Sequence, residues 1–152
     1  GDDHTRVASV LDLLGSVLLS NGEPDRAELR FRQALDIRRR RLGEDHVQVA
    51  RTQSRLAAAL LAREATPEVL DTAAILLDRA FETLSRETPE HDWRRADVES
   101  LLGALWLAEG RPDRAEPCLR DGYERLRAVR GEHAVQTRDA RQRLDVLTGR
   151  QP

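Results

Sequence analysis

Leu11, Leu14 and Leu18 recur at the three- and four-residue spacing of a helical face, and after a polar break Ala27, Phe31 and Ala34 do so again. The same double pattern returns as Leu56 and Leu60, then Ala73, Leu77 and Ala80. It returns once more as Leu102 and Trp106, then Ala115, Leu119 and Gly122. Each unit therefore reads as two helices joined by a short turn. Punctuation inside the units agrees. Gly22 and Gly110 stand where a left-handed residue ends a helix, Pro24 and Pro112 where a first turn tolerates a missing N–H, and Asp25 and Asp113 follow at the positive end of the next helix. Seven helices are predicted, at about 5–20, 24–41, 47–64, 68–86, 93–108, 112–129 and 134–147.

The pattern is a true repeat. The octet GDDHTRVA at 1–8 returns as GEDHVQVA at 43–50, an offset of 42, and NGEPDRAELRF at 21–31 returns as EGRPDRAEPCL at 109–119, an offset of 88. Two periods of 42 fall four residues short of 88, and the extra four lie around Ala65 to Glu68 in the middle unit. Gly15 and Gly103 occupy one repeat position inside their helices, where glycine costs about 1 kcal/mol against alanine, and Ala57 fills the same position between them. That choice predicts a close helix approach, at which a leucine overpacks by roughly 1 to 3 kcal/mol. Pro117, a turn and a half into its helix, predicts a local kink.

These positions resemble the packing signature of the tetratricopeptide repeat. The residues concerned are Leu14, Gly15, Leu18, Ala27, Phe31 and Ala34, then Leu56, Ala57, Leu60, Ala73, Leu77 and Ala80, then Leu102, Gly103, Trp106, Ala115 and Leu119. The resemblance implies an all-α fold, a right-handed superhelical α-solenoid of about seven helices. Hairpins are expected at about 5–41, 47–86 and 93–129, with an unpaired capping helix at about 134–147, in a single domain over 1–152. The 42-residue period and the Gly-Glu-Asp-His junction are similar to the kinesin-light-chain type. Residues 115–144 are similar to the closing segment of arrays that follow bacterial serine/threonine kinase domains. That repeat type holds peptide backbones with asparagines on its first helices. The aligned pairs here are Asp12-Leu13, Ser54-Arg55 and Ser100-Leu101.

Composition narrows the chemistry. The 25 basic and 27 acidic residues nearly cancel, so no global field draws the chain toward nucleic acid or an anionic membrane. Every basic residue is arginine. The absence of lysine excludes the Walker loop, the kinase phosphate-binding lysine and Schiff-base catalysis, and fits a GC-rich bacterial coding genome. Cys118 is the only cysteine, so neither an internal disulfide nor a multi-cysteine zinc site is possible, and a reducing, cytoplasmic setting is expected. The longest apolar run, 56–62, is far short of the about 20 residues that span a bilayer. With no methionine and Gly1 first, the chain reads as a piece of a longer protein.

His4, His46, His91 and His133 each fall at a junction between hairpins. Helices packed about 8 to 10 Å apart keep such junctions too far from one another to share a zinc ion. Asp45 is expected to cap the following helix and His46 to hydrogen-bond across the turn. Arg38 to Arg41 form the strongest basic run. Consecutive residues spread around a helix and no aromatics interleave, so a solvated surface is the expectation and a nucleic-acid-binding adaptor the lesser alternative.

The resemblance places a peptide-binding concave face on the first helices, at Ser9, Asp12, Ser16, Arg51, Ser54, Arg55, Ala58, Asp97, Ser100 and Ala104. Arg51 and Arg55, one turn apart, either hold an acidic side chain or C-terminus of a peptide or pair with Asp12 and Asp97. Cys118 is expected to be a half-buried thiol, and Trp93 either a core-edge residue or a contact point. The expected function is a non-catalytic interaction or scaffolding module for a peptide or helix, without cofactor or metal; no nucleophile, base and orienter set is recognisable. The alternative is a regulatory or sensory tail of a bacterial signalling protein such as a serine/threonine kinase. Exposed apolar residues on the first helix are expected to favour self-association.

Overall fold

The computed structural model describes residues 2–150, and within them the chain forms α-helices and no strand. The helices are α1 (Asp2–Ser20), α2 (Pro24–Leu42), α3 (Val47–Leu61), α4 (Pro67–Glu87), α5 (Trp93–Ala108), α6 (Pro112–Arg130) and α7 (Val135–Thr148). Gly1, Gln151 and Pro152, which the expected domain includes, lie outside the described residues. The bounds follow the sequence pattern except at two places. α1 begins earlier than expected, and α3 stops at Leu61 because the inserted residues make the turn into α4. There the Arg63 N–H donates to the Leu60 carbonyl at 3.1 Å, and the Val69 N–H donates to Thr66 Oγ1 at 3.3 Å. α6 runs through Pro117 without interruption.

The α1–α2 and α5–α6 turns are built alike. Gly22 and Gly110 take φ of 77° and 73°, a region that favours glycine. The next residue's N–H reaches back to close each helix, Glu23 to the Leu18 carbonyl at 2.9 Å and Arg111 to that of Trp106 at 2.8 Å. Pro24 and Pro112 then open the following helices.

The residues fall into two compact units, Gly1–Glu87 and Thr88–Pro152. The second begins at the junction that lacks a glycine and carries Pro89 instead. In the first unit α1 pairs with α2 and α3 with α4, α2 packs on α3, and α1 touches α3. Its core holds Phe31, Leu56, Leu60, Leu77 and Leu84. In the second unit α5 pairs with α6, and α7 packs on both, around Leu119, Leu126 and Val98. The predicted close approaches are present. A Cβ on Gly15 would stand 2.7 Å from the Phe31 ring, and one on Gly103 would stand 2.7 Å from Leu119 Cγ. Gly122 is tighter in kind, since its Cβ would meet the Ser100 backbone nitrogen at 2.9 Å.

Among the expected packing residues, Leu18, Ala27, Phe31, Ala34, Ala57, Leu60, Ala73, Leu77, Ala80, Ala115 and Leu119 are buried. Leu102 and Trp106 are half-buried, with the Arg114 guanidinium 4.6 Å from the Trp106 ring centroid. Leu14 departs from expectation at 41% exposed, whereas its repeat equivalent Leu56 is 1% exposed. The cause is position: α3 has the preceding helix α2 packed upon it, and no described helix precedes α1.

Candidate peptide-binding face

In the first unit the expected face is built from α1 and α3. Ser9 is exposed; Ser16, Arg51, Arg55 and Ala58 are half-buried. Asp12 and Ser54 lie inside, and this corrects their assignment to an open face. Ser54 Oγ donates to the Arg51 carbonyl at 2.9 Å, satisfied within its own helix. Asp12 is 3% exposed and turns inward because two guanidinium groups meet it there. Arg38 Nη1 of α2 donates to its Oδ2 at 2.8 Å, and Arg55 Nη1 of α3 donates to the same oxygen. Arg38 also donates to Thr52 Oγ1. The sequence alternative in which Arg55 pairs with Asp12 is thus realised.

The basic run does not form a patch. Arg38 is 6% exposed and belongs to the interior, Arg39 pairs with Glu44 at 2.6 Å and Arg40 with Asp36 at 3.0 Å. The run is thus divided between the interior and the surface, where Arg41 is exposed. A signal for Arg38 existed in the chain, because the residues at its repeat position in the other hairpins are Leu84 and Leu126, both buried. A charge at a core position calls for a buried counterion, and Asp12 supplies it.

In the second unit the same framework carries different chemistry. Eighty-eight residues on from Asp12, Arg38, Thr52 and Arg55 stand Ser100, Leu126, Ala140 and Arg143. Leu126 and Ala140 join Ala96 in an apolar cluster against which Trp93 and Tyr123 pack. Ser100 is fully buried and so does not line an open face either. Arg143 keeps the direction of Arg55, lying 3.2 Å from Ser100 Oγ and 3.6 Å from an Asp97 oxygen. Asp97 and Ala104 are half-buried.

At the α2–α3 junction His46 makes the expected hydrogen bond across the turn, and it, not Asp45, is the cap. His46 is the N-cap of α3 and its Nδ1 accepts from the Gln48 N–H at 3.1 Å, while Asp45 pairs with Arg86 at 3.2 Å. Asp92 caps α5 and is held below the usual carboxylate range by its hydrogen bonds from Arg94. Burial raises the Cys118 thiol, the Glu99 carboxyl despite its 2.8 Å pairing with Arg125, and Asp139 on α7. The four histidines are exposed, and among the described residues no three His, Cys, Asp or Glu side chains are grouped to hold a metal ion. No helix of the described residues is long and apolar enough to cross a membrane.

Comparison with known proteins agrees with this geometry. Residues 6–74 match the tetratricopeptide repeat family. The crystal structure of BtubC (BKLC) from P. vanneervenii is similar over 94% of this chain, with a TM-score of 0.67 and 21% sequence identity. The likeness shows the fold, and it covers 56% of that longer chain. A search of curated proteins gave no match. The paired helices and the small residues at their crossings agree with the match to the tetratricopeptide repeat family over residues 6–74.

Proposed function

We propose that this chain is a non-catalytic interaction module whose first unit holds an acidic group of a peptide or helix on the α1–α3 face, at Arg55 with Arg51 one turn away. Tetratricopeptide repeats mediate protein–protein interaction. The observation that carries the finer reading is a charge imbalance. One carboxylate, Asp12, accepts from two guanidinium groups. Arg38 is enclosed, whereas the Arg55 side chain keeps 27% of its exposure. The surplus positive charge therefore faces the accessible side. A carboxylate docking there meets a guanidinium already held in place, which lowers the ordering cost of a charge-assisted hydrogen bond. At the equivalent position of the second unit, Arg143 has the carboxylate of Asp97 at 3.6 Å and that of Asp139 one turn away on its own helix, so the imbalance belongs to the first unit. Cys118, the lone thiol, suits work in the reducing cytoplasm. The tail reading, a regulatory segment of a bacterial signalling protein, rests on the resemblance of residues 115–144.

The test is selection of a random-peptide display library on the intact chain and on Arg55→Gln, which removes the charge and leaves Asp12 paired with Arg38. Enrichment of Asp, Glu or free C-termini on the wild type, lost on the variant, supports the reading. Equal enrichment on both, or none on the wild type, refutes it.

A further inference from the structure

Arg38 stands where the other two hairpins hold the buried leucines Leu84 and Leu126, so the fold itself does not call for a charge there. Its surroundings are nevertheless built for a cation. Thr52 Oγ1 gives its proton to the Gln48 carbonyl at 3.0 Å, and toward Arg38 it can therefore only accept. Asp12 Oδ2 accepts from the same Arg38 nitrogen, Nη1, at 2.8 Å. One acceptor from α1 and one from α3 thus converge on an enclosed guanidinium whose side chain keeps 7% of its exposure. A buried ion pair is close to neutral for stability against an apolar filling, and the second unit fills the same place with Leu126 and Ala140. The charge of Arg38 acts more strongly on its exposed neighbour.

One negative and two positive charges meet at Asp12, because Arg38 and Arg55 both donate to its Oδ2. The net is a single positive charge, and Arg55 is the member that reaches the surface. A carboxylate docking on Arg55 also comes close to Asp12, and like charges repel strongly in a partly desolvated site. Arg38, behind Asp12, cancels that repulsion. With an apolar residue at position 38 the balance changes. Asp12 would have Arg55 as its one guanidinium partner. Its Oδ1, which is buried and accepts from no described group, would be at hand for a two-pronged pair with that same guanidinium. Arg55 would then meet an incoming carboxylate with its charge already matched.

We propose that Arg38 is a specificity-determining positioning residue. It touches no ligand, and its buried charge, acting through Asp12, keeps Arg55 electrostatically open to an acidic group. The proposal rests on the reading that Arg55 receives such a group, and adds what sets the preference for an ionised group over a neutral one. The second unit keeps the arginine, as Arg143, and lacks both the buried carboxylate and the buried cation, with Ser100 and Leu126 in their places. Their joint absence is as expected. Asp12 without Arg38 would neutralise Arg55, and Arg38 without Asp12 would be a buried ion with no counterion.

The probe is an acidic peptide from the wild-type selection, titrated calorimetrically against the intact chain beside its Glu→Gln or amidated counterpart. The quantity read is the ratio of the two dissociation constants. Wild type should prefer the acid by about tenfold or more, the margin of a charge-assisted over a neutral hydrogen bond. Arg38→Gln keeps a donor toward Asp12 and Thr52 and removes the charge; Arg38→Leu with Thr52→Ala copies Leu126 and Ala140. Each should bring the ratio below about threefold. Adding Asp12→Ser to the second variant should return the ratio to within about threefold of wild type, since a serine there holds the arginine, as Ser100 holds Arg143 at 3.2 Å, without an opposing charge. A merely structural Arg38 predicts otherwise: acid and amide weakened alike with the ratio kept, and no recovery in the triple variant. Either result, in variants with the wild-type circular dichroism, overturns the proposal. Should the double variant not fold, Arg38→Gln and the triple variant decide. An acid preference that Arg55→Gln abolishes and Arg38→Gln leaves intact defeats the proposal alone. A selection without acid preference, or one indifferent to Arg55→Gln, defeats the underlying reading as well.

Discussion

Removing the Asp12 carboxylate is the sharpest perturbation of the first unit. At the 2.8 Å separation from Arg38, the pairwise attraction is about 6 kcal/mol at an effective dielectric of about 20. Most of that offsets the desolvation of two ions whose side chains keep only 7% and 4% of their exposure, so the intact pair is close to neutral for stability. Asp12→Ala keeps the desolvated Arg38 and removes its counterion, and about 3 to 5 kcal/mol of destabilisation is expected. The second unit shows how the same site is built without charge. The triple variant Asp12→Ser, Arg38→Leu, Thr52→Ala copies Ser100, Leu126 and Ala140 in register, and it should lie within about 1 to 2 kcal/mol of wild type or above it. Denaturant melts followed by far-UV circular dichroism give the ordering, and hydrogen exchange resolved to α1–α3 ensures that the first unit is the one observed. If Asp12→Ala costs under about 1 kcal/mol, or the triple variant is worse than the single one, the ion pair is not the buried, mutually dependent device described.

Gly122→Ala presses a methyl against the α5 backbone and should destabilise by about 1 to 3 kcal/mol, whereas Gly15→Ala meets only the Phe31 ring and gains up to about 1 kcal/mol of helix propensity in return; paired thermal melts should rank Gly122→Ala well below Gly15→Ala. His46→Ala should cost about 1 kcal/mol by loss of the α3 cap, while Asp45→Ala, which breaks only an exposed pair with Arg86, should move the melting temperature little. Asp139 has a folded-state carboxyl raised by burial, so the folded chain binds more protons than the unfolded one and this group's contribution falls as pH rises from its unfolded value of about 4 through the raised value. Asp139→Asn should therefore gain more stability over wild type at pH 7 than at pH 3.5.

Helix number, turns and the small residues at the crossings were legible because each is a local constraint written three times over. Gly15 and Gly103 say where helices touch, and Gly22 and Gly110 say where they end, whatever lies further away. The register of exposed against buried polar groups was not legible in the same way. Asp12 and Ser9 lie on one helix a turn apart, and the first is buried only because Arg38, on the next helix, needs a partner inside. Leu14 reads identically to Leu56 in the chain, and differs only because α2 packs on α3 while no described helix packs on the same side of α1. The mistaken cap has a similar origin: Asp45 is the stronger N-cap by residue type, but the turn sets His46 in the extended conformation that a cap needs and leaves Asp45 to Arg86. Such facts are pairwise and appear once neighbours are known.

A double-mutant cycle across the Arg55 contact tests the central claim most directly. A selected acidic peptide and its Glu→Gln or amidated counterpart are titrated calorimetrically against the wild-type chain and Arg55→Gln. If the surplus charge at Asp12 is what receives the ligand, the two changes couple by about 1.5 to 3 kcal/mol, the range of a charge-assisted hydrogen bond. Additivity within about 0.5 kcal/mol would contradict it, and would place the acidic ligand elsewhere on the protein.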